Sequence, residues 1–206
     1  MPRRRPRPEQ ALALGLASEA MLGVLALLLG FVFGYSPLAT LSVSGRAIAI
    51  GAAAAIPMLA FFGLLFAIEA APLVRIRLLL DEVIGSFFAR SSVAELALIS
   101  AAAGVCEELL FRGFIQAVLN DFMWAPVALV VASVVFGLAH PITGAYVILA
   151  TGAGLYLGWL WMATGNLAVP IVTHFVYDFV ALVALVRQYQ RRAADGTGTD
   201  HVDPGP

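Results

Sequence analysis

Apolar runs of about 20 residues, the length needed to cross a bilayer, recur along this chain from one end almost to the other. Few soluble folds can accept that pattern. The composition agrees: 61% of the 206 residues are hydrophobic, 12% are charged, and the mean hydropathy is +0.93. A soluble domain is near half apolar and a quarter charged, so both departures point to lipid as the solvent. The expected fold class is an all-α polytopic membrane protein, a bundle of about six transmembrane helices with its functional site inside the bundle.

The expected spans are 11–35, 46–70, 93–119, 125–139, 145–164 and 167–186. Pro57 stands inside the second, where neighbouring helices can re-satisfy the freed carbonyl. The segment 74–92 mixes charged and apolar residues at helical spacing, as a helix lying along the interface or an ordinary connector would. Asn120, Asp121 and Trp124 read as an interfacial turn. The organisation expected is a basic tail over 1–10, one helical membrane domain over 11–190 and a disordered tail over 191–206, rich in Gly, Asp, Thr and Pro.

All twelve basic residues are arginines, and ten of them fall into three groups: Arg3, Arg4, Arg5, Arg7; Arg75, Arg77, Arg90; and Arg187, Arg191, Arg192. The positive-inside rule assigns these regions to the cytoplasmic side. Six crossings put both termini there as well, the orientation expected for a multi-pass protein of the cell membrane. The run after the basic N-terminus is too long for a secretory h-region, so it reads as a retained helix. The only cysteine, Cys106, precludes an internal disulfide and reads as a small packing residue. Nothing in the sequence suggests nucleic-acid binding.

Against this background the stretch CEELLFRG, Cys106 to Gly113, stands out. Each charged side chain at a bilayer centre costs roughly 2.5–3.5 kcal/mol, so Glu107, Glu108 and Arg112 together would cost about 8–10 kcal/mol if isolated. Glu108 and Arg112 are four residues apart with the acid N-terminal, the favourable order for an ion pair along one helix face. Glu107 points about 100° away and is left without a partner on its own helix. An unpaired carboxyl in a dry cavity is a plausible proton acceptor. Other ionisable groups in apolar segments are few. They include His140 in VVFGLAHP, and His174 with Asp178 in IVTHFVYDF, the latter two sharing a helix face at i, i+4. Glu19, Glu69 and Glu95 are placed towards helix ends or near arginines and read as structural. Gly152, Gly154 and Gly158 read as close helix packing rather than a phosphate loop.

One tension concerns depth. Glu107 lies about 20 Å into the third span and His174 about 10 Å into the sixth from the opposite side, which match. His140, at the end of the short fourth span, would sit nearer the surface unless that helix starts deeper or the PITG segment turns within the membrane.

The ordered set E-E-x-x-x-R as EELLFR, F-x-x-x-H as FGLAH and H-x-x-x-[N/D] as HFVYD resembles the type II CAAX prenyl protease family, whose bacterial members are the CPBP or Abi intramembrane endopeptidases. The resemblance covers about residues 93–186. It implies a glutamate-dependent endopeptidase in which Glu107 and His140 activate a water, His174 stabilises the oxyanion, and Glu108 and Arg112 play supporting roles. Asp178 takes the acidic variant of a position that is asparagine in the eukaryotic enzymes. A carboxylate cannot donate to an oxyanion, so Asp178 either holds a proton or orients His174. The implied substrate is a peptide or a membrane-associated protein, prenylated or not, and no cofactor is implied. A zinc-dependent variant using the two histidines and carboxylates, a non-catalytic immunity or scaffold protein, and a proton pathway are the competing readings.

Overall fold

The computed structural model describes residues 8–195. The first arginine group and most of the expected C-terminal tail lie outside the described residues. Among those described, all regular structure is helical: α1 (Pro8–Phe33), α2 (Gly45–Ala67), α3 (Ala71–Leu80), α4 (Val93–Glu108), α5 (Ala117–Phe122), α6 (Ala125–Leu138), α7 (Gly144–Thr164) and α8 (Ala168–Ala194). π-Helical stretches follow α3, over Asp81–Gly85, and join α4 to α5, over Leu109–Gln116. Four helices, α1, α2, α7 and α8, are long and apolar enough to cross a membrane. The protein is a helical polytopic membrane protein.

The third and fourth expected spans take different forms. Val93 to Phe122 is one helical run interrupted by the π stretch. The fourth, α6, has 14 residues and is about 21 Å long, short of the roughly 30 Å hydrocarbon core. The apolar sides of the helices face outwards, with Leu14, Met21, Val24 and Phe31 of α1 all exposed, while small residues such as Ala11 and Ala26 are buried. That is how helices pack when lipid, not water, surrounds them.

Packing contacts fix the directions. Gly15 faces Ile99 and Gly23 faces Cys106, so α1 and α4 run parallel. Gly51 lies against Val172 and Phe62 against Tyr177, so α2 and α8 are parallel. Gly154 meets Ser133 and Gly158 meets Leu129, making α6 and α7 an antiparallel hairpin. Gly104 admits the backbone of Ile171 and Phe175, where a Cβ would sit 3.0 Å from the Ile171 carbonyl oxygen. The Gln190 amide donates to the Ala89 carbonyl. These last two contacts set α8 antiparallel to α4 and bring the end of α8 to the end of the bundle where α1 and α4 begin.

The second and third arginine groups therefore share one end of the bundle. There Arg192 pairs with Asp81 at 2.9 Å, and α8 continues through Arg191 and Arg192 to Ala194, four residues into the segment expected to be disordered. Arg77 donates to the carbonyls of Phe66 and Ile68, satisfying the C-terminal turn of α2. At the opposite end Asn166 bridges the 34–44 loop to the start of α8, accepting from the Ser42 and Ala168 amides and donating to the Ser42 carbonyl.

Candidate active site

Ser92 and Glu95 form a reciprocal capping box at the start of α4 and fix the register of the helix that carries the charges. Glu107 and Glu108 occupy its last two positions. In the π stretch that follows, every residue but Ile115 is buried. π-Helical insertions of this kind recur at functional sites, because the widened turn re-aims the side chains around it.

Glu108 is fully buried, yet its Oε1 is doubly satisfied. Arg112 donates to it from Nη1 at 2.6 Å, the expected i, i+4 pair, and His174 donates to the same oxygen from Nδ1 at 2.9 Å. Arg112, only 2% exposed, spends a second N–H on the Gly154 carbonyl at 2.9 Å and lays its guanidinium over the Phe136 ring, 4.6 Å from the centroid. A charge this deep is tolerable only when its donors are matched, and this arrangement matches them. Gly154 permits the approach: a Cβ there would lie 3.2 Å from the Ser133 backbone. Of the three glycines read as packing residues, Gly154 and Gly158 do so, whereas a Cβ on Gly152 would point into open space and the residue lines a cavity.

Glu107 points the other way, as the 100° offset requires. It is 7% exposed, its Oε1 lies 3.7 Å from His140 Nε2, and its Oε2 lies 3.9 Å from His174 Nε2. No arginine pairs with it; it faces the two imidazoles. His140 donates from Nδ1 to the Phe136 carbonyl at 2.8 Å, which turns Nε2 towards Glu107. His174 holds Glu108 with Nδ1 and directs Nε2 towards Asp178 Oδ2 at 3.3 Å. Thus Glu107 from α4, His140 from the turn after α6, and His174 and Asp178 from α8 meet in one place, with Glu108 and Arg112 directly behind His174.

The depth tension resolves through the shortness of α6. With only 14 residues, α6 brings His140, just beyond its end, to within 3.7 Å of Glu107. Thr143 then starts α7, its hydroxyl capping the Tyr146 amide at 3.1 Å.

A cavity of about 640 Å³ opens beside these residues. His140, His174 and Asp178 line one part of it, and Phe62, Phe66, Ile76 and Leu149 are among the apolar residues that line the rest. Its walls come from α2, α3, α7 and α8. The apolar face of α3 thus covers a cavity, a role that its mixed sequence had left open between interface helix and connector. Pro57 stays inside a continuous α2 and contributes to the wall. Among the described residues, no group of three or more His, Cys, Asp or Glu side chains is arranged to hold a metal ion.

Sequence reasoning missed Glu19. It lies on the buried arc of α1, well inside the helix, and not at its end. Its Oε2 is occluded and without a hydrogen-bond partner, and it stands within electrostatic range of Glu107, His140, His174 and Asp178. The signal was available as helical register with Ala11, Gly15, Gly23 and Ala26.

Residues 89–180 match the family model described as type II CAAX prenyl endopeptidase, Rce1-like. The resemblance seen in the motifs is borne out over that segment, which runs from just before α4 to just past Asp178 and holds all six residues of the site. α1 and α2 lie outside it. No curated protein and no solved structure matches the chain.

Proposed function

We propose that this protein is an intramembrane endopeptidase that hydrolyses a peptide bond with a water activated by Glu107 and His140. The family matched over residues 89–180 is one of prenyl endopeptidases, which supports a peptide-bond hydrolase working in the membrane. The observation that carries the finer reading is Glu107, a buried carboxylate that no arginine pairs with, whose two oxygens face two imidazole nitrogens at 3.7 and 3.9 Å. Separations of that width are too long for direct hydrogen bonds and leave a water set to one side able to bridge the groups.

In this reading Glu107 takes a proton from water while the oxygen attacks the scissile carbonyl carbon, and the carbonyl electrons move onto oxygen. His174 donates from Nε2 to that oxyanion. As the tetrahedral species collapses, the C–N bond breaks and the proton held by Glu107, with His140 beside it, passes to the leaving nitrogen. Glu108 and Arg112 fix His174 through Nδ1. Asp178, 3.3 Å from Nε2, orients the ring and favours a donating Nε2–H. The substrate is a peptide or membrane-associated protein whose apolar part enters the cavity; a prenyl group is what the matched family's description names. Both termini lie on the cytoplasmic side, with the arginine-bearing end of the bundle.

The test is cleavage in detergent of a prenylated and an unprenylated C-terminal peptide, with N-terminomics of membranes to find natural products. Cleavage that disappears in Glu107→Ala supports the reading. A membrane phenotype that survives both Glu107→Ala and His140→Ala would favour a non-catalytic immunity or scaffold role instead.

A further inference from the structure

α1 lies outside the segment matched to the endopeptidase family, yet it brings a carboxyl to the site. Taking 100° per residue, Ala11, Gly15, Glu19, Gly23 and Ala26 fall on one arc of the helix, and Glu19 is near its centre. The other four are small residues, and Gly15 and Gly23 are where α1 lies against α4. A Cβ on Gly15 would be 3.0 Å from Ile99 Cδ1, and one on Gly23 would be 2.9 Å from Cys106 Sγ. Glu19 therefore faces α4 between Ile99 and Cys106, about 6 Å along the axis before the level of Cys106. Glu19 Oε2 is buried without a hydrogen-bond partner, and so is Oε2 of Glu107. Two orphan carboxyl oxygens thus stand on neighbouring, parallel helices. An orphan of this kind is costly in an apolar setting, and a shared proton or a bridging water would satisfy both.

We propose that Glu19 is a positioning residue of this site, holding a proton with which it engages Oε2 of Glu107 directly or through one water. The inference rests on the reading of Glu107 as the base. The groups that face Glu19 decide which carboxyl keeps the proton. From α4 these are Cys106 and Glu107; His140 comes from the turn after α6, and His174 and Asp178 from α8. Arg112 is not among them and is held by Glu108 and the Gly154 carbonyl. The imidazoles lie against Glu107, within 3.9 Å. Two adjacent carboxyls in a dry wedge do not both ionise, so Glu107 carries the charge and Glu19 the proton. During hydrolysis the water's proton moves to Glu107 and on to the leaving nitrogen, while the proton of Glu19 stays in place. Its role is to hold the base in one orientation without neutralising it.

The test uses the full-length protein at neutral pH and reads the proton directly. Infrared spectroscopy of the wild type should show the carbonyl stretch of a protonated carboxylic acid. That band should be lost in Glu19→Gln and shifted in frequency in Glu107→Gln. Glu19→Ala should lower kcat about tenfold, the worth of one hydrogen bond, with little change in KM, and Glu19→Gln, which keeps a donor, should recover most of it. A band unaffected by Glu19→Gln, or one that ignores Glu107→Gln, overturns the pairing. The infrared measurement needs no substrate, so loss of the band assignment and failure of the endopeptidase reading are separate results.

Discussion

His174 and Glu108 are 66 residues apart in sequence, and their side chains meet at 2.9 Å in the interior of the bundle. The same Glu108 oxygen receives Arg112, so the carboxylate ties a helix-internal ion pair to the imidazole proposed to bind the oxyanion. Replacing Glu108 by Ala should remove both. Arg112 is then a buried cation without its partner, a loss of about 3–5 kcal/mol, read as a large fall in melting temperature in detergent. Glu108→Gln keeps shape and one acceptor; it should fold and still lose activity about 10²-fold, because the ring is no longer held in place.

Glu107 should behave in the opposite way. Apart from the contact proposed with Glu19, its oxygens approach only the two imidazoles, at 3.7 and 3.9 Å, so it contributes little to stability. Glu107→Gln is expected to leave the melting temperature unchanged or higher while lowering cleavage by about 10²–10⁴-fold, the usual worth of a general base. A variant that both unfolds and fails to cleave would point to a structural carboxylate.

The difference between these two adjacent glutamates marks how far the sequence could be read. The Glu108–Arg112 pair and the His174–Asp178 face were visible because both lie within one helix, where spacing fixes geometry. The meeting of Glu107 with His140 and His174 was visible only as a possibility, since periodicity orients a side chain about its own axis and says nothing of which helix comes to lie opposite. Glu19 was misplaced for a related reason: counted from the start of the chain it looks peripheral, whereas its register with Gly15 and Gly23 puts it on the packed face. The π stretch over Leu109–Gln116 has no sequence mark, whereas α6 stops at Leu138, within one residue of the end expected just before His140 and Pro141. The helical reach of α8 to Ala194 was hidden by composition, and the Arg192–Asp81 contact supplies its reason.

The turn after α1 offers a pH test outside the spans. The Tyr35 hydroxyl donates to Asp121 Oδ2 at 2.7 Å, joining the end of α1 to α5, and that bond raises the tyrosine pKa above its ordinary value of about 10. A group whose folded pKa is raised stabilises the fold below its unfolded pKa and loses that contribution as pH rises through the folded one. Thermal stability of the wild type should therefore fall above pH ~10 more steeply than that of Tyr35→Phe, which lacks the titrating hydroxyl. Parallel curves would remove Tyr35 from the account.

Packing at Gly154 couples the α6–α7 hairpin to the charge network. Its carbonyl accepts from Arg112, and a Cβ would meet both the Ser133 backbone and Phe136 within 3.3 Å. Gly154→Val should push α7 away from α6, costing about 1–3 kcal/mol and loosening the guanidinium that Glu108 shares with His174. The expected signature is a lower melting temperature together with lost cleavage. At Gly152, where a Cβ would meet nothing within 4 Å, the same substitution should leave stability nearly unchanged.

Treatment with EDTA or phenanthroline distinguishes the glutamate mechanism from a zinc-dependent one. A zinc ion would need imidazole nitrogens and carboxylate oxygens at about 2.0–2.2 Å with an open position for water. Here Nδ1 of His174 is engaged by Glu108, Nε2 faces Asp178 at 3.3 Å, and Nδ1 of His140 is engaged by the Phe136 carbonyl. Zinc bound through the two Nε2 atoms would have to draw His174 from Asp178 and draw both rings towards Glu107. Cleavage rates should accordingly be the same before and after chelation, and added zinc should not raise them. Should chelation abolish cleavage and zinc restore it, Glu107 becomes a ligand or a base for a metal-bound water, and Asp178 and both histidines must be reassigned with it.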